Sequence, residues 1–166
     1  MSEATTGAAV AEAARAQQTR QYTTFYLDDM FFGVEVLNVQ EVLRYQPMTP
    51  VPLAPPIIKG LINLRGQIVT AVDLRRRLGL KPLAAGQLPL NVVVRSDDGA
   101  FSLLVDEIGD VLEVNPDLYE PPPDNMPPQQ REMVKGVYKM EDRLLLVLAT
   151  ERVLAADKDL QFESGG

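Results

Sequence analysis

Chemistry near neutral pH needs groups that titrate, attack or ligate, and this chain offers few of them. Its 166 residues include no histidine and no cysteine. Thiol nucleophiles, thiolate metal sites and disulfides are therefore excluded, and the commonest general base is missing. Two adjacent acid pairs remain, Asp28-Asp29 and Asp97-Asp98. Each stands between short apolar runs, where acids usually form solvated turns and seldom a catalytic pair. The run Arg75-Arg76-Arg77 within Asp73–Leu78 reads as the solvated face of a short helix, with an anion site as the alternative. No P-loop, G-x-G-x-x-G, G-x-S-x-G or EF-hand loop is found, so neither a cofactor nor a metal is expected and no catalytic residue is assigned. Better suited to binding are Glu41, in Asn38–Val42, and Arg65, in Asn63-Leu64-Arg65-Gly66.

The elements that must position these residues are short strands. Hydrophobic residues make up 46% and charged residues 23% of the chain, the balance of a globular domain of ordinary size. A net charge of −7 argues against nucleic acid as a partner. No apolar run reaches the length of about 18 residues that a membrane span needs. The N-terminus has no basic region leading into an apolar core, and the reading is cytoplasmic. Residues 1–20 are small and polar and read as a disordered tail, as do residues 158–166. Between them, about 21–157, apolar runs alternate with turn residues, as in an all-β chain.

That region contains an internal repeat. Displaced by 69 positions, Thr24–Leu43 lies without a gap over Val93–Leu112; displaced by 76, Ile57–Leu78 lies over Met133–Leu154. The difference locates a seven-residue insertion in the second copy, in or before its proline-rich stretch, within residues 113–130. Each copy, about 24–80 and 93–155, is expected to hold four or five strands and a short helix. Strand exchange between the two is allowed. Period two places Phe32, Val34 and Val36, like Phe101, Leu103 and Val105, on a core face. Gly66 supplies the positive φ of a tight hairpin. Asp73 caps a helix whose Leu74 and Leu78 share a face and which Gly79 ends. A longer helix is expected over 150–159. So few strands hide their edges best by closing into small barrels.

The duplication is also a control, because features held by both copies serve the fold and features held by one are free for function. The first hairpin tip carries Arg65-Gly66 where the second carries Glu141-Asp142. Glu41 falls on Asp110, a shared acid that a turn or cap would equally explain. Leu104 is apolar where its counterpart Glu35 is charged, so either the copies pack there or that face meets a partner.

In order along the chain, Phe32–Val36, Val39–Val42, a proline-rich linker, Lys59-Gly60, Asn63–Gly66 and Val72–Leu74 resemble the CheW family of bacterial chemotaxis coupling proteins. The likeness runs from about Tyr22 to Leu154. It implies two intertwined five-stranded SH3-like barrels and an adaptor without catalysis. In that family the adaptor links the cytoplasmic tip of chemoreceptors to the histidine kinase CheA, whose regulatory domain has the same fold and pairs barrel to barrel. It is recruited to the inner face of the membrane through the receptors. The receptor groove is implied near Val39, Glu41, Gly60 and Arg65, with Glu41 and Arg65 forming an ion pair. Leu104 is a weak candidate for the kinase-binding face. A regulatory or scaffold module of another two-component pathway, or a generic peptide-binding barrel, are the alternatives. A carboxylate-dependent hydrolase would instead need the turn acids to converge in a cleft.

Overall fold

In the computed structural model the described residues are 20–97 and 99–153. Of the tail expected over residues 1–20, residues 1–19 lie outside them and Arg20 instead opens a strand; the tail expected over 158–166, the helix expected beyond 153, and Asp98 also lie outside them. Ten strands are described: β1 (Arg20–Leu27), β2 (Met30–Glu35), β3 (Val39–Leu43), β4 (Ile58–Leu64), β5 (Gln67–Asp73), β6 (Leu90–Ser96), β7 (Gly99–Val105), β8 (Glu107–Val114), β9 (Val134–Lys139) and β10 (Leu144–Leu148). Helix α1 (Leu74–Arg77) follows β5, and α2 (Pro128–Arg131) precedes β9. Residues 150–153 are helical.

The strands form two sheets, ordered β8-β1-β2-β10-β9 and β3-β6-β7-β5-β4. Each sheet takes strands from both copies, so the copies are exchanged into one another. The repeat holds pair for pair. Tyr22 faces Glu35 as Asn91 faces Leu104, and Leu146 faces Phe32 in parallel as Thr70 faces Phe101. Even the irregularity between Thr23 and Phe25 in one sheet recurs between Val39 and Glu41 in the other. The proline-rich connections are pinned alike, Thr49 bridging Leu61 and Glu120 bridging Val137. Those bridges divide the insertion into two residues before the pin and five after it.

Apolar side chains fall into three clusters. One lies between the sheets and draws on both, with Phe25, Phe32, Val72, Val92, Phe101, Leu103 and Leu146 among its members. Another fills the first sheet's hollow with Tyr22, Phe31, Tyr138, Leu145 and Val147. The third fills the second sheet's hollow with Ile62, Leu64, Val69, Val93 and Leu104. Central strands are thus buried on both faces, which explains why Leu144–Leu148 reads as an unbroken apolar run. Val36 departs from its expected place, because β2 ends at Glu35 and Val36 opens a 3-10 turn where it is only half-buried.

Leu104 also requires a correction. It is 4% exposed and packs in the second sheet's own hollow, so it presents no apolar face to a kinase. Its counterpart Glu35 sits at the rim of the other sheet and pairs with Arg20 at 2.7 Å. A second correction concerns the arginine run. Asp73 caps α1 through Arg76 N–H, and Leu74 and Leu78 are buried, as expected. Arg75, however, is buried rather than solvated. Its guanidinium donates to Asp106 Oδ2 and Asp28 Oδ1, each at 2.6 Å, and to the Lys81 carbonyl at 2.7 Å. Asp28 stands in the β1–β2 turn of the first sheet, and Asp106 between β7 of the second and β8 of the first. One cation therefore ties the two sheets together. Of the three arginines only Arg76 is fully exposed.

Candidate functional site

The second sheet brings Glu41 and Arg65 together where its edge strand β3 meets the β4–β5 hairpin. That hairpin turns on two residues of positive φ, Arg65 at 52° and Gly66 at 88°, the geometry of a type I′ turn. The Asn63 side-chain oxygen accepts from Gly66 N–H at 2.9 Å and holds the turn closed. Arg65 therefore occupies a backbone region that suits Gly, Asn or Asp and disfavours a long side chain. Strain kept at a position where a better turn residue is available points to a use for the side chain.

The guanidinium is turned onto Glu41, and the two make a direct ion pair. Its hydrogen bond to Arg65 holds the Glu41 carboxyl below the usual glutamate range. Arg65 remains mostly exposed while Glu41 is largely covered, so the pair shows its cationic side to solvent. Beside it Gln40 donates to Gln67 across the same gap at 3.0 Å. These two links draw β3 towards the hairpin and roll the sheet. Exposed apolar residues flank them: Leu37 ahead of β3, Val42 on it, and Ile68 on β5.

The other expected site residues are placed differently. Val39 shares β3 with Glu41 and is half-buried against the central cluster. Leu64 is buried in the sheet's hollow. Gly60 is buried too, and a Cβ there would stand 2.7 Å from the Thr49 carbonyl oxygen. Gly60 thus lets the proline-rich connection lie against β4, where Thr49 and Leu61 exchange two hydrogen bonds of 2.8 Å.

Arg95, on β6, was not singled out by sequence reasoning. It donates to the Leu37 and Val39 carbonyls at 3.0 and 2.9 Å and so fixes the entry to β3. Arg75 was also missed, although the repeat carried a signal for it: Arg75 falls on Glu151, a charge reversal like that of Arg65 on Glu141. In the second copy Asp110 and Glu141 make no pair among the described residues; Arg143 lies there instead over the Phe31 ring, 4.1 Å from its centroid.

Comparison with known proteins supplies the context. A family model described as "CheW-like domain" matches residues 21–158. The chain is 30% identical to the chemotaxis protein CheW of Rhizobium meliloti (strain 1021) over 139 residues, covering 84% of this chain and 90% of that one. It is 28% identical to the chemotaxis protein CheW of Treponema pallidum (strain Nichols) over 145 residues, 85% of each chain. Among solved structures, the scaffolding protein TtCheW from Thermoanaerobacter tengcongensis matches with a TM-score of 0.69 at 26% identity, covering 78% of this chain and 88% of that one. The fold, with its exchanged five-stranded sheets, and the match along nearly the whole described region give one conclusion: this chain belongs to the CheW-like domain family.

Proposed function

We propose that this chain is a non-catalytic adaptor that couples the cytoplasmic tips of chemoreceptors to the histidine kinase CheA in a bacterial signalling array. The observation that carries the reading is the Glu41–Arg65 pair, present in one copy and replaced in the other, at an open edge with apolar residues around it. Such an edge suits a protein surface, with exposed apolar side chains supplying area and the ion pair fixing orientation. The receptor is taken beside Val39, Glu41 and Arg65. Gly60 acts one step back, by seating the proline-rich connection. The regulatory domain of the kinase, built on the same fold, pairs with the adaptor barrel to barrel.

The acids give this reading further support. Asp28 is engaged by Arg75, while Asp29 and Asp97 are exposed at their turns, so these three do not converge as a catalytic pair. An adaptor of this kind works in the cytoplasm and reaches the membrane through the receptors it binds; no helix among the described residues is long and apolar enough to cross a membrane.

Reconstituted kinase autophosphorylation tests the reading. CheA and receptor cytoplasmic domains are assayed alone, with this chain, and with its Arg65→Ala variant. Activation by the unmutated chain alone is expected. Equal activation by both keeps the adaptor and removes the Arg65 site. No activation and no kinase binding by either overturns the adaptor role.

A further inference from the structure

The edge strands β8 and β3 are counterparts in the repeat, yet the chain enters them differently. On β8 the ladder to β1 starts with Glu107 opposite Tyr26 and continues with Ile108 opposite Phe25. On β3 the ladder to β6 starts one pair later, with Val39 opposite Val94. The missing pair is Asn38 with Arg95. Just ahead of it the copies diverge further. Asp106 donates its backbone N–H to the Tyr26 carbonyl at 3.0 Å, and it is the single residue between β7 and β8. Its counterpart Leu37 makes no such bond to Arg95. Leu37 lies instead in the 3-10 turn Val36–Asn38, which Val39 N–H closes on the Val36 carbonyl.

The Arg95 side chain takes up what its backbone has lost. One guanidinium nitrogen, Nη1, donates to both the Leu37 and the Val39 carbonyls, on either side of the unpaired Asn38. Tyr26, at the same place in the other sheet, brings no guanidinium, and its hydroxyl accepts from Arg143 instead. Exposure follows from this difference. Asp106 is drawn inward onto Arg75, whereas Leu37 stands 87% exposed. A lone apolar side chain at the surface is ordinary. This one is held out by two hydrogen bonds found in one copy alone, in the turn that leads into the strand of Glu41.

We propose that Arg95 is a positioning residue for the Glu41–Arg65 edge: it holds the 36–38 turn off the ladder and so presents Leu37 as an apolar contact for the partner. The inference rests on the adaptor reading for that partner's identity. It deepens that reading by stating the partner's chemistry, an apolar side chain set beside the group that engages Arg65. Without the guanidinium, β3 extends its ladder through Asn38 as β8 does through Glu107, and Leu37 is withdrawn.

The test measures receptor-domain binding, melting temperature and amide hydrogen exchange on the full chain. Leu37→Ala, an exposed change, is expected to leave the melting temperature unchanged and to weaken receptor binding about tenfold. Arg95→Tyr gives the second sheet the residue that the first has at this place. It is expected to slow exchange of the Leu37 amide at least about tenfold and to weaken receptor binding by a similar factor. Arg95→Met keeps an unbranched stem and removes the donors; it is expected to act alike and stands in if the tyrosine variant does not fold. Arg95→Lys keeps donors for both carbonyls and is expected to retain receptor binding. Unchanged binding by Leu37→Ala, unchanged exchange in Arg95→Met, or an equal loss of binding in Arg95→Lys and Arg95→Met overturns the proposal and leaves the adaptor standing. Absence of receptor binding by the unmutated chain overturns the adaptor reading and the Leu37 contact together, while the exchange rates still decide what Arg95 does to the turn.

Discussion

The two hairpin tips occupy equivalent places in a doubled fold and treat their cations in opposite ways. At the β4–β5 tip a two-residue turn throws Arg65 outward and across to Glu41 on the edge strand. At the β9–β10 tip the loop is wider, closed by Met140 N–H on the Arg143 carbonyl at 2.8 Å, and its cation folds inward. Arg143 donates to the Tyr26 hydroxyl at 2.7 Å and lies over Phe31, as a guanidinium does on an aromatic face. The strands behind both tips pair in the same register. What the fold requires is therefore shared, and the difference is confined to the side chains each tip presents. One tip completes its own sheet, and the other keeps an ion pair at an open edge where a partner can compete for it.

The largest way to break this comparison lies outside the tips, at the other reversed charge. Removing one partner from a buried ion cluster leaves the remaining charges uncompensated and costs about 3–5 kcal/mol. Arg75→Leu is expected to lose that much in urea unfolding, with Asp106 left buried. At the equivalent exposed Glu151, an alanine is expected to change stability by no more than about 0.5 kcal/mol. Similar losses at both positions would mean that Arg75 does not tie the sheets together.

Next come the two equivalent glycines. An added Cβ at Gly60 meets the backbone carbonyl of Thr49, whereas at Gly136 it meets the ring of Tyr119, a half-exposed side chain that can swing away. Overpacking against backbone costs about 1–3 kcal/mol, so Gly60→Ala is expected to lower the melting temperature more than Gly136→Ala. The reverse order would show that the proline-rich connection yields more easily than the tyrosine.

The tips themselves separate function from stability. Arg65→Asn puts the favoured residue for a type I′ turn in a left-handed position. It is expected to raise the melting temperature while abolishing kinase coupling in the reconstituted assay. Glu141→Ala at the other tip is expected to change neither. The charge-swapped pair, Glu41→Arg with Arg65→Glu, is expected to recover part of the coupling that either single change loses.

The smallest effect concerns pH. The folded Glu41 carboxyl titrates below its ordinary value of 4.5 because of the Arg65 hydrogen bond. The pair's contribution is complete above that ordinary value and fades as pH falls through the depressed one. With no histidine in the chain, receptor binding measured between pH 6 and 8 is expected to be flat on this protein's account. A step in that interval would place the titrating group on the partner.

Much of the fold was legible because period two and the repeat are properties of the chain itself. Phe101, Leu103 and Val105 alternate onto a core face, Gly79 ends a helix begun at Asp73, and the two displacements recover all ten strands. The repeat alone did not show the exchange, since a displacement compares one copy with the other and says nothing of which strands pair; only the resemblance implied intertwined barrels. Leu104 misled because an apolar residue opposite a glutamate signals a change of environment without its direction; it lies in a hollow, while Glu35 lies at a rim. The arginine run hid Arg75, as three like residues on a four-residue helix give no contrast between its faces. Of the candidate site, Arg65 and Glu41 were legible from charge reversal and resemblance, but Arg65's positive φ was not. Only Gly66 advertised one.

The exchange of strands bears on how the protein is made. In the first half, β1 and β2 wait for β8 and β10, while β3 and β5 wait for β6 and β7. Until the second half leaves the ribosome, only the β1–β2 and β4–β5 hairpins can pair, and several strands show bare edges of the kind that invite aggregation. Contacts so distant in sequence also slow the search for the native state. A chain cut within residues 81–89 gives two pieces that should each be unfolded alone and recover structure only on mixing. The doubled gene product therefore behaves as one folding unit.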